Sequence, residues 1–279
     1  MTDPNPVGNV HCLTTSWNIN GIEALSAENP NNQPRNNMIR RQIRQMAKKH
    51  QIILLQETHL PKDHTNRTQF HRDTTGIKNI LPNWRIFPNG IAAGKHGTLT
   101  GIDPKNFPNC TISNINLIPG RVQITYATHN LANKGQAFIN VYLPVGQWPS
   151  KRQILDKIMT RFDPNYIWTM GGDWNFTHDS TTNQRFMKKY AELLHRFSLY
   201  EPTQPYDTWF RITKNTKYTT SSNLDRLLTQ ASEMKLTRWD VFSYLTPTVF
   251  RKRANDQTRQ TNPSDHLPIT LLVKKKTHP

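Results

Sequence analysis

Apolar residues along the chain fall into runs of two different periods. Val10 to Trp17 reads as a strand, ended by Asn20-Gly21. Residues 26–37 are rich in Asn, Pro and Gln and read as a loop. Met38, Ile39, Ile43, Met46 and Ala47 then recur at helical spacing. Arg40, Arg41, Arg44, Lys48 and Lys49 lie largely off that stripe, as expected of a solvated helix face. Ile52 to Leu55 is a short all-apolar run, the pattern of a strand buried on both sides. Val122, Ile124 and Tyr126 alternate, as do Ala137, Ile139, Val141 and Leu143, so both segments read as strands. Ile154, Leu155, Ile158, Met159 and Phe162 form a helical stripe, and so do Phe186, Tyr190, Leu193, Leu194 and Phe197. Tyr166 to Met170 is a strand that stops at Gly171-Gly172, and Leu224–Leu228 and Leu267–Val273 are late strands. Several strands follow one another without a helix between. The mixture predicts an α+β or mixed α/β fold, with two sheets packed together and helices outside.

Composition narrows the picture. The 279 residues allow one or two domains. No shift in composition marks a boundary, so residues 10–273 are expected to form one domain. Residues 1–9 are a polar tail, and the basic residues 274–279 read as the start of a linker. The chain has 36 Lys and Arg against 19 Asp and Glu, a formal charge of +17, which favours a polyanionic partner such as nucleic acid over a purely solubilising role. Cys12 and Cys110 are the two cysteines, too few for a disulfide framework and without metal-site spacing. A reducing compartment is expected. The first residues lack the apolar core of a secretory signal, and no apolar run approaches the ~20 residues of a membrane span. A soluble, non-membrane protein is expected.

Polar residues unsuited to a core sit just beyond several of these strands. Asn18 follows the first, Glu57 the second, and Tyr142 lies near the end of Ala137–Leu143. Asp173 and Asn175 follow Tyr166–Met170, and Asp265 and His266 precede the last strand. Ligands of open sheets bind outside strand ends. A single strand-end Asp is usually a turn or cap residue; the joint pattern is harder to explain that way. Phosphodiester hydrolysis needs an activated water and neutralised phosphoryl charge. Glu57 offers a carboxylate for a hard cation such as Mg²⁺. Asp173 can take a proton from water while Asn175 donates to the phosphate. His266, polarised by Asp225, can hold positive charge beside it.

Six segments carry a family resemblance: Ser16-Trp17-Asn18-Ile19-Asn20-Gly21, Leu55-Gln56-Glu57-Thr58-His59, Asn140-Val141-Tyr142-Leu143-Pro144, Gly171-Gly172-Asp173-Trp174-Asn175, Asn223-Leu224-Asp225-Arg226 and Ser264-Asp265-His266-Leu267-Pro268-Ile269. In this order they resemble the endonuclease/exonuclease/phosphatase superfamily, which includes deoxyribonuclease I and AP endonucleases. Asn-Ile-Asn-Gly, Gln-Glu-Thr-His and Gly-Gly-Asp-Trp-Asn most resemble the endonuclease domains of non-LTR (LINE-type) retrotransposons. The resemblance implies a four-layer sandwich of two mixed sheets flanked by helices. It implies nicking of one strand of double-stranded DNA, leaving a 3′-hydroxyl that primes reverse transcription. It further implies Mg²⁺, with Mn²⁺ as a substitute, linkage to a reverse transcriptase in a longer polyprotein, action in the nucleus, and a monomeric domain. Glu57, Asn18 and Asp265 would lie at the metal, and Tyr142 at the scissile phosphate. Asp173 and Asn175 would act on water and phosphate, with Asp225 behind His266. Thr208 matches a family Thr near the DNA backbone. The family often has Arg or Lys where Asn223 stands.

Outside the centre, Phe210 to Thr219 reads as a hairpin with a basic tip. Arg211, Lys214, Lys217 and Tyr218 there are candidates for DNA contact, weighed evenly against plain surface charge. Arg251 and Arg253 lie in a basic loop suited to phosphates or to a nuclear-localisation patch. Gly90, Gly94 and Lys95 do not have P-loop spacing, and His59, His64 and His71 do not have zinc-site spacing. Two competing readings are a repair nuclease acting at abasic sites and an inactive basic nucleic-acid-binding module. Phosphoinositide and sphingolipid phosphodiesterases share the superfamily, but no membrane-binding segment is evident.

Overall fold

Among the residues described in a computed structural model, fourteen strands and four α-helices arise from these patterns. It describes residues 12–21, 33–61, 67–91, 95–131, 135–146, 148–177, 184–202, 207–212, 219–230, 234–241, 266 and 268–275. The order is β1 (Cys12–Asn18), α1 (Gln33–Lys49), β2 (Ile52–Gln56), α2 (Arg67–Ile80), β3 (Arg85–Asn89), β4 (Thr98–Ile102), β5 (Cys110–Ile118), β6 (Val122–His129) and β7 (Gly135–Tyr142). It continues through α3 (Trp148–Met159), β8 (Tyr166–Asp173), α4 (Gln184–Arg196), β9 (Leu199–Tyr200), β10 (Trp209–Ile212), β11 (Thr219–Ser222), β12 (Asp225–Gln230), β13 (Met234–Val241) and β14 (Ile269–Lys275).

Two six-stranded sheets result, ordered β13-β14-β1-β2-β4-β3 and β5-β6-β7-β8-β12-β9. Each has one parallel pair, β1 with β2 and β7 with β8, and every other pairing is antiparallel. A helix bridges each parallel pair, α1 in the first and α3 in the second, as parallel strands require. Ile39, Ile43 and Met46 of α1 and Ile77 and Ile80 of α2 pack on Trp17, Ile53 and Leu55 of the first sheet. Ile154, Leu155 and Ile158 of α3 and Phe186, Tyr190 and Leu193 of α4 pack on the second. Between the sheets, Ile52, Leu54, Ile269 and Leu271 meet Ala127, Phe138 and Leu227. The layers therefore run helix, sheet, sheet, helix, as the sequence pattern predicts.

Several boundaries differ from the sequence reading. α1 begins at Gln33, inside the segment read as a loop; Pro34 in its first turn is compatible with a helix start. β14 runs through Lys275, two residues past the expected end, because β13 pairs with it and places Lys235 opposite Lys274. The supposed linker thus begins within a strand. α2 and β3, β4, β5, β9 and β13 had no clear apolar signal. β4 is buried throughout although it reads Thr-Leu-Thr-Gly-Ile, and β3, an edge strand, contains Pro88. The N-terminal tail lies outside the described residues.

The inter-sheet layer also holds polar groups. Asn140 on β7 is fully buried and donates to the main-chain oxygens of Leu55 at 3.1 Å and Leu99 at 2.9 Å. Gln56 Nε2 donates to Asn140 Oδ1 at 2.7 Å and to Ser16 Oγ at 3.1 Å. Elsewhere His50 is buried at the end of α1, its Nδ1 2.7 Å from Met46 O and its Nε2 3.1 Å from Thr270 Oγ1. Nδ1 donates to the Met46 carbonyl. Burial lowers the His50 pKa from the ordinary 6.5 to about 4, against the pull of the Met46 carbonyl. The unfolded chain takes up this proton at higher pH than the folded one. The His50 contribution is complete above pH 6.5 and is lost as pH falls from 6.5 through 4, by about 3 kcal/mol. Urea midpoints of wild type and His50→Gln should diverge across that window, with wild type the more acid-sensitive. Parallel curves would refute this account of His50.

Candidate active site

One end of the sandwich collects the strand ends. β1, β2, β7 and β8 finish there and β12 starts there. In the register, Tyr142 of β7 lies beside Asp173 of β8, and Asp173 lies directly opposite Asp225 of β12. Two carboxylates directly opposite in neighbouring strands repel each other. Asn18 ends β1 beside Gln56, and Glu57 follows β2. His266 reaches the same end through a bridge with Trp209, and its carbonyl accepts the Trp17 indole N–H at 3.0 Å.

Asp173, Asp225 and His266 are buried and form the centre. His266 Nδ1 is 2.8 Å from Asp225 Oδ2, and its Nε2 lies 4.0 Å from Asp173 Oδ2. Asp173 Oδ2 accepts from Asn18 Nδ2 at 3.0 Å and from Asn175 Nδ2 at 3.1 Å, and Oδ1 accepts from Asn175 N–H at 3.0 Å. Burial pushes the Asp173 carboxyl up to about 7; His266 and the bonds from Asn18 and Asn175 oppose that rise and the Asp225 charge adds to it. A carboxyl tuned near neutrality suits a proton acceptor in neutral solution. Asp225 Oδ1 is buried without a hydrogen-bond partner.

Asn175 sits at a φ of +49°, a left-handed conformation that asparagine tolerates better than most residues. Its second amide hydrogen goes to Leu143 O at 2.8 Å. Both amide hydrogens are thus committed, so the expected donation to a phosphate would require one of them to move. Lys151 of α3, itself buried, holds this loop from behind through Nζ to Asn175 O at 2.6 Å. Glu57 lies at a φ of +51°, which costs a non-glycine residue of the order of 1 kcal/mol. The loops after β1 and β2 are tied by Gly21 N–H to Glu57 O at 2.6 Å. The Tyr142 hydroxyl donates to Glu57 Oε1. Burial, then Glu57, pushes that phenol well above its usual range, so it remains a donor.

The remaining sequence-derived candidates are placed as follows. Thr208 is fully buried, and its hydroxyl accepts from the main-chain N–H of Leu224 at 3.2 Å and Asp225 at 3.1 Å. Thr208 thus faces inward and fixes the start of β12. Arg226, unremarked in the sequence, is buried beside Asp225, pairs with Glu201 and donates to Phe176 O at 3.2 Å. Its i, i+1 spacing from Asp225 was visible, but nothing in the sequence marked it as buried. The hairpin exists as β10 and β11, paired from Trp209 with Ser222 to Ile212 with Thr219. Its tip, with Lys214, Lys217 and Tyr218, lies outside the described residues, as do Asp265, Arg251 and Arg253. The Arg211 side chain is likewise not described.

The donor set suits a divalent cation. Asp173, Asp225 and His266 can each offer an atom, with all three within 4.8 Å of one another. Asp225 Oδ1 is buried without a hydrogen-bond partner, and a hard cation would give it one. The sequence reading placed the metal instead at Glu57, Asn18 and Asp265. Asn18 touches this cluster through Asp173, whereas Glu57 is engaged with Tyr142. A bound cation would neutralise charge on a phosphoryl oxygen. With the cation held instead on the Asn18 and Glu57 side, Asp173 would stay free to accept a proton from water, and the Asp225-polarised imidazole would be able to present positive charge through Nε2.

Similar architectures occur in known proteins. The endonuclease domain of TRAS1, a telomere-specific non-LTR retrotransposon, superposes with a TM-score of 0.58 at 12% identity, over 95% of this chain and 100% of that one. The catalytic domain of Xenopus laevis APE2 gives 0.60 at 16% identity, covering 94% and 91%. A mannosyl-6-phosphatase of Bacteroides thetaiotaomicron gives 0.59 at 13% identity, covering 94% and 99%. At such identities the likeness concerns the fold. No curated protein sequence matches the chain significantly. A sequence model of one family does match, from the strand that carries Asn18 to the histidine facing Asp173, residues 15–266, and the chain therefore belongs to the endonuclease/exonuclease/phosphatase family.

Proposed function

We propose that this protein is a divalent-metal-dependent DNA endonuclease of a mobile element. It nicks one strand of double-stranded DNA and leaves a 3′-hydroxyl from which a reverse transcriptase extends. The carrying observation is the buried Asp173–His266–Asp225 arrangement, with His266 Nε2 4.0 Å from the carboxylate and its other nitrogen held by Asp225. Asp173 is the proton acceptor, Asn175 orients it, and Tyr142 and His266 face the phosphate. Mg²⁺ is the working cation and Mn²⁺ a substitute, with Asn18, Glu57 and Asp265 contributing beside the buried cluster. The excess of 36 basic over 19 acidic residues supports a nucleic-acid substrate over a small phosphate ester. Arg211, Lys214, Lys217, Tyr218, Arg251 and Arg253 are the candidates for contacts beyond the centre. The motif wording favours the retrotransposon branch. On that reading residues 10–273 form the nuclease domain of a longer polyprotein that acts in the nucleus, monomeric as an isolated domain.

Supercoiled plasmid incubated with Mg²⁺ should convert to open circles whose nicks a polymerase extends. Chelator should reduce the rate to background. Intact plasmid under every divalent metal would refute the assignment. A duplex with one abasic site, cut far faster than the same duplex intact, would transfer it to repair.

A further inference from the structure

The outer face of α1 has no role in the chemistry above. Arg41, Arg44 and Lys48 are exposed there and stand at i, i+3 and i+7, within about 60° of arc on one side of the helix. α1 contains no carboxylate, and among the described residues none pairs with these three. Arg41 and Arg44 are three residues apart and Arg44 and Lys48 four, spacings at which like charges destabilise a helix. The helix layer over the other sheet is built differently. There Arg152 pairs with Asp156 at 3.6 Å, and Lys189 with Asp156 at 2.7 Å and Glu192 at 2.9 Å. A face that serves only solubility gains from such interleaved acids, and α1 forgoes them.

The stripe also lies away from the centre. α1 follows the Asn18 end of β1 and leads to the start of β2, which is parallel to β1, so it runs from the catalytic end toward the opposite end. Arg41 stands about 12 Å and Lys48 about 22 Å along the axis from Gln33. α2 runs the same way, because β3 is antiparallel to β4 and β4 to β2, and Lys78 in its last turn is exposed at the same far end.

Among the described residues of α1, the exposed ones include no aromatic or large apolar side chain. That leaves no platform for stacking single-stranded bases and no wedge for a lipid surface. Duplex phosphates need only fixed cations. A duplex is stiff over about 150 bp, so a segment seated at the strand ends does not fold down the side of the domain to reach Lys48. We propose that the far half of α1, through Arg41, Arg44 and Lys48, holds the phosphate backbone of a second DNA duplex segment, separate from the one at the centre. This assignment rests on the reading of the protein as a DNA nuclease.

Titration with a short duplex in Mg²⁺, on the Asp173→Asn protein so that the DNA stays whole, tests it. Sedimentation should find two duplexes per molecule. The second should weaken about 40-fold between roughly 50 and 200 mM salt, a log–log slope of about 2.7 for three phosphate contacts. Adding Arg41→Gln, Arg44→Gln and Lys48→Gln together should abolish the second event and leave the first. Glutamine is a good helix former and relieves the like charges, so the helix should persist. Arg41→Lys with Arg44→Lys keeps the charge and should keep the second duplex. In the otherwise wild-type protein the triple Gln variant should nick a short duplex at the wild-type rate. One duplex per molecule, or a second duplex that survives the triple change, overturns the proposal. So does slowed nicking of the short duplex in the triple variant, which would place these residues on the segment being cut. If the triple change instead abolishes binding to phosphatidylserine vesicles and spares the second duplex, the face belongs to a lipid surface and the proposal also falls. Wild type that nicks while only one duplex binds would remove this site alone. Wild type that fails to nick, with a second duplex lost in the triple variant, would remove the nuclease reading and leave the site.

Discussion

Asp173→Asn should slow plasmid nicking about 10³-fold, within the range of lost acid–base catalysis. The amide cannot take a proton from water. Nor can it receive every donor that Asp173 receives, because Asn18 and Asn175 both direct Nδ2 groups at one oxygen and the Asn175 main chain engages the other. The same change removes one of two carboxylates that face each other across β8 and β12. Relief of that repulsion offsets the displaced donor, so the protein is expected to stay folded while activity collapses. Initial nicking rates and a thermal melt on the same preparation check both halves. Activity within tenfold of wild type would remove Asp173 from its role, and a cooperative melt would exclude misfolding as the cause of a loss.

Asn140→Leu should act in the opposite way, through stability. Asn140 is fully buried and joins β7 to both β2 and β4. The substitution removes the Asn140 donor from the buried Leu55 and Leu99 carbonyls and leaves Gln56 Nε2 with Ser16 Oγ alone. At a typical cost per stranded group, the loss is about 4 kcal/mol. For a chain of this size the melting temperature should drop by roughly 10 °C. Urea denaturation gives the comparison directly. A loss below about 1 kcal/mol would mean that the network is re-satisfied by water or by movement of Gln56.

The sequence was most legible where burial and chemistry coincide. β2 and β8 are apolar runs ending in polar residues that no core needs, and the structure places Glu57, Asp173 and Asn175 at that end. The Asp225–His266 partnership was inferred from chemistry, and the 2.8 Å contact realises it across a separation of 41 residues. What stayed hidden was burial without hydrophobicity. β4 hides two threonines and a glycine in the sheet, and α2 turns Thr74 inward, where its hydroxyl bonds back to Phe70 O at 2.7 Å. Thr208, Lys151 and Arg226 were equally obscure, since polar side chains carry no periodic signature of the carbonyls and amides that will satisfy them.

Each sheet is built on one parallel pair bridged by a helix, and the centre straddles the two. Asn18, Glu57 and His266 come from the first sheet and its loops; Tyr142, Asp173, Asn175 and Asp225 come from the second. Neither half holds a nucleophile-activating pair with its imidazole. Cutting competence therefore works as a coincidence detector for folding: a chain emerging from synthesis with one sheet complete, or a loosened state that keeps its secondary structure, has no weapon. On the proposed reading as a DNA nuclease, this delays danger until the last layer has docked.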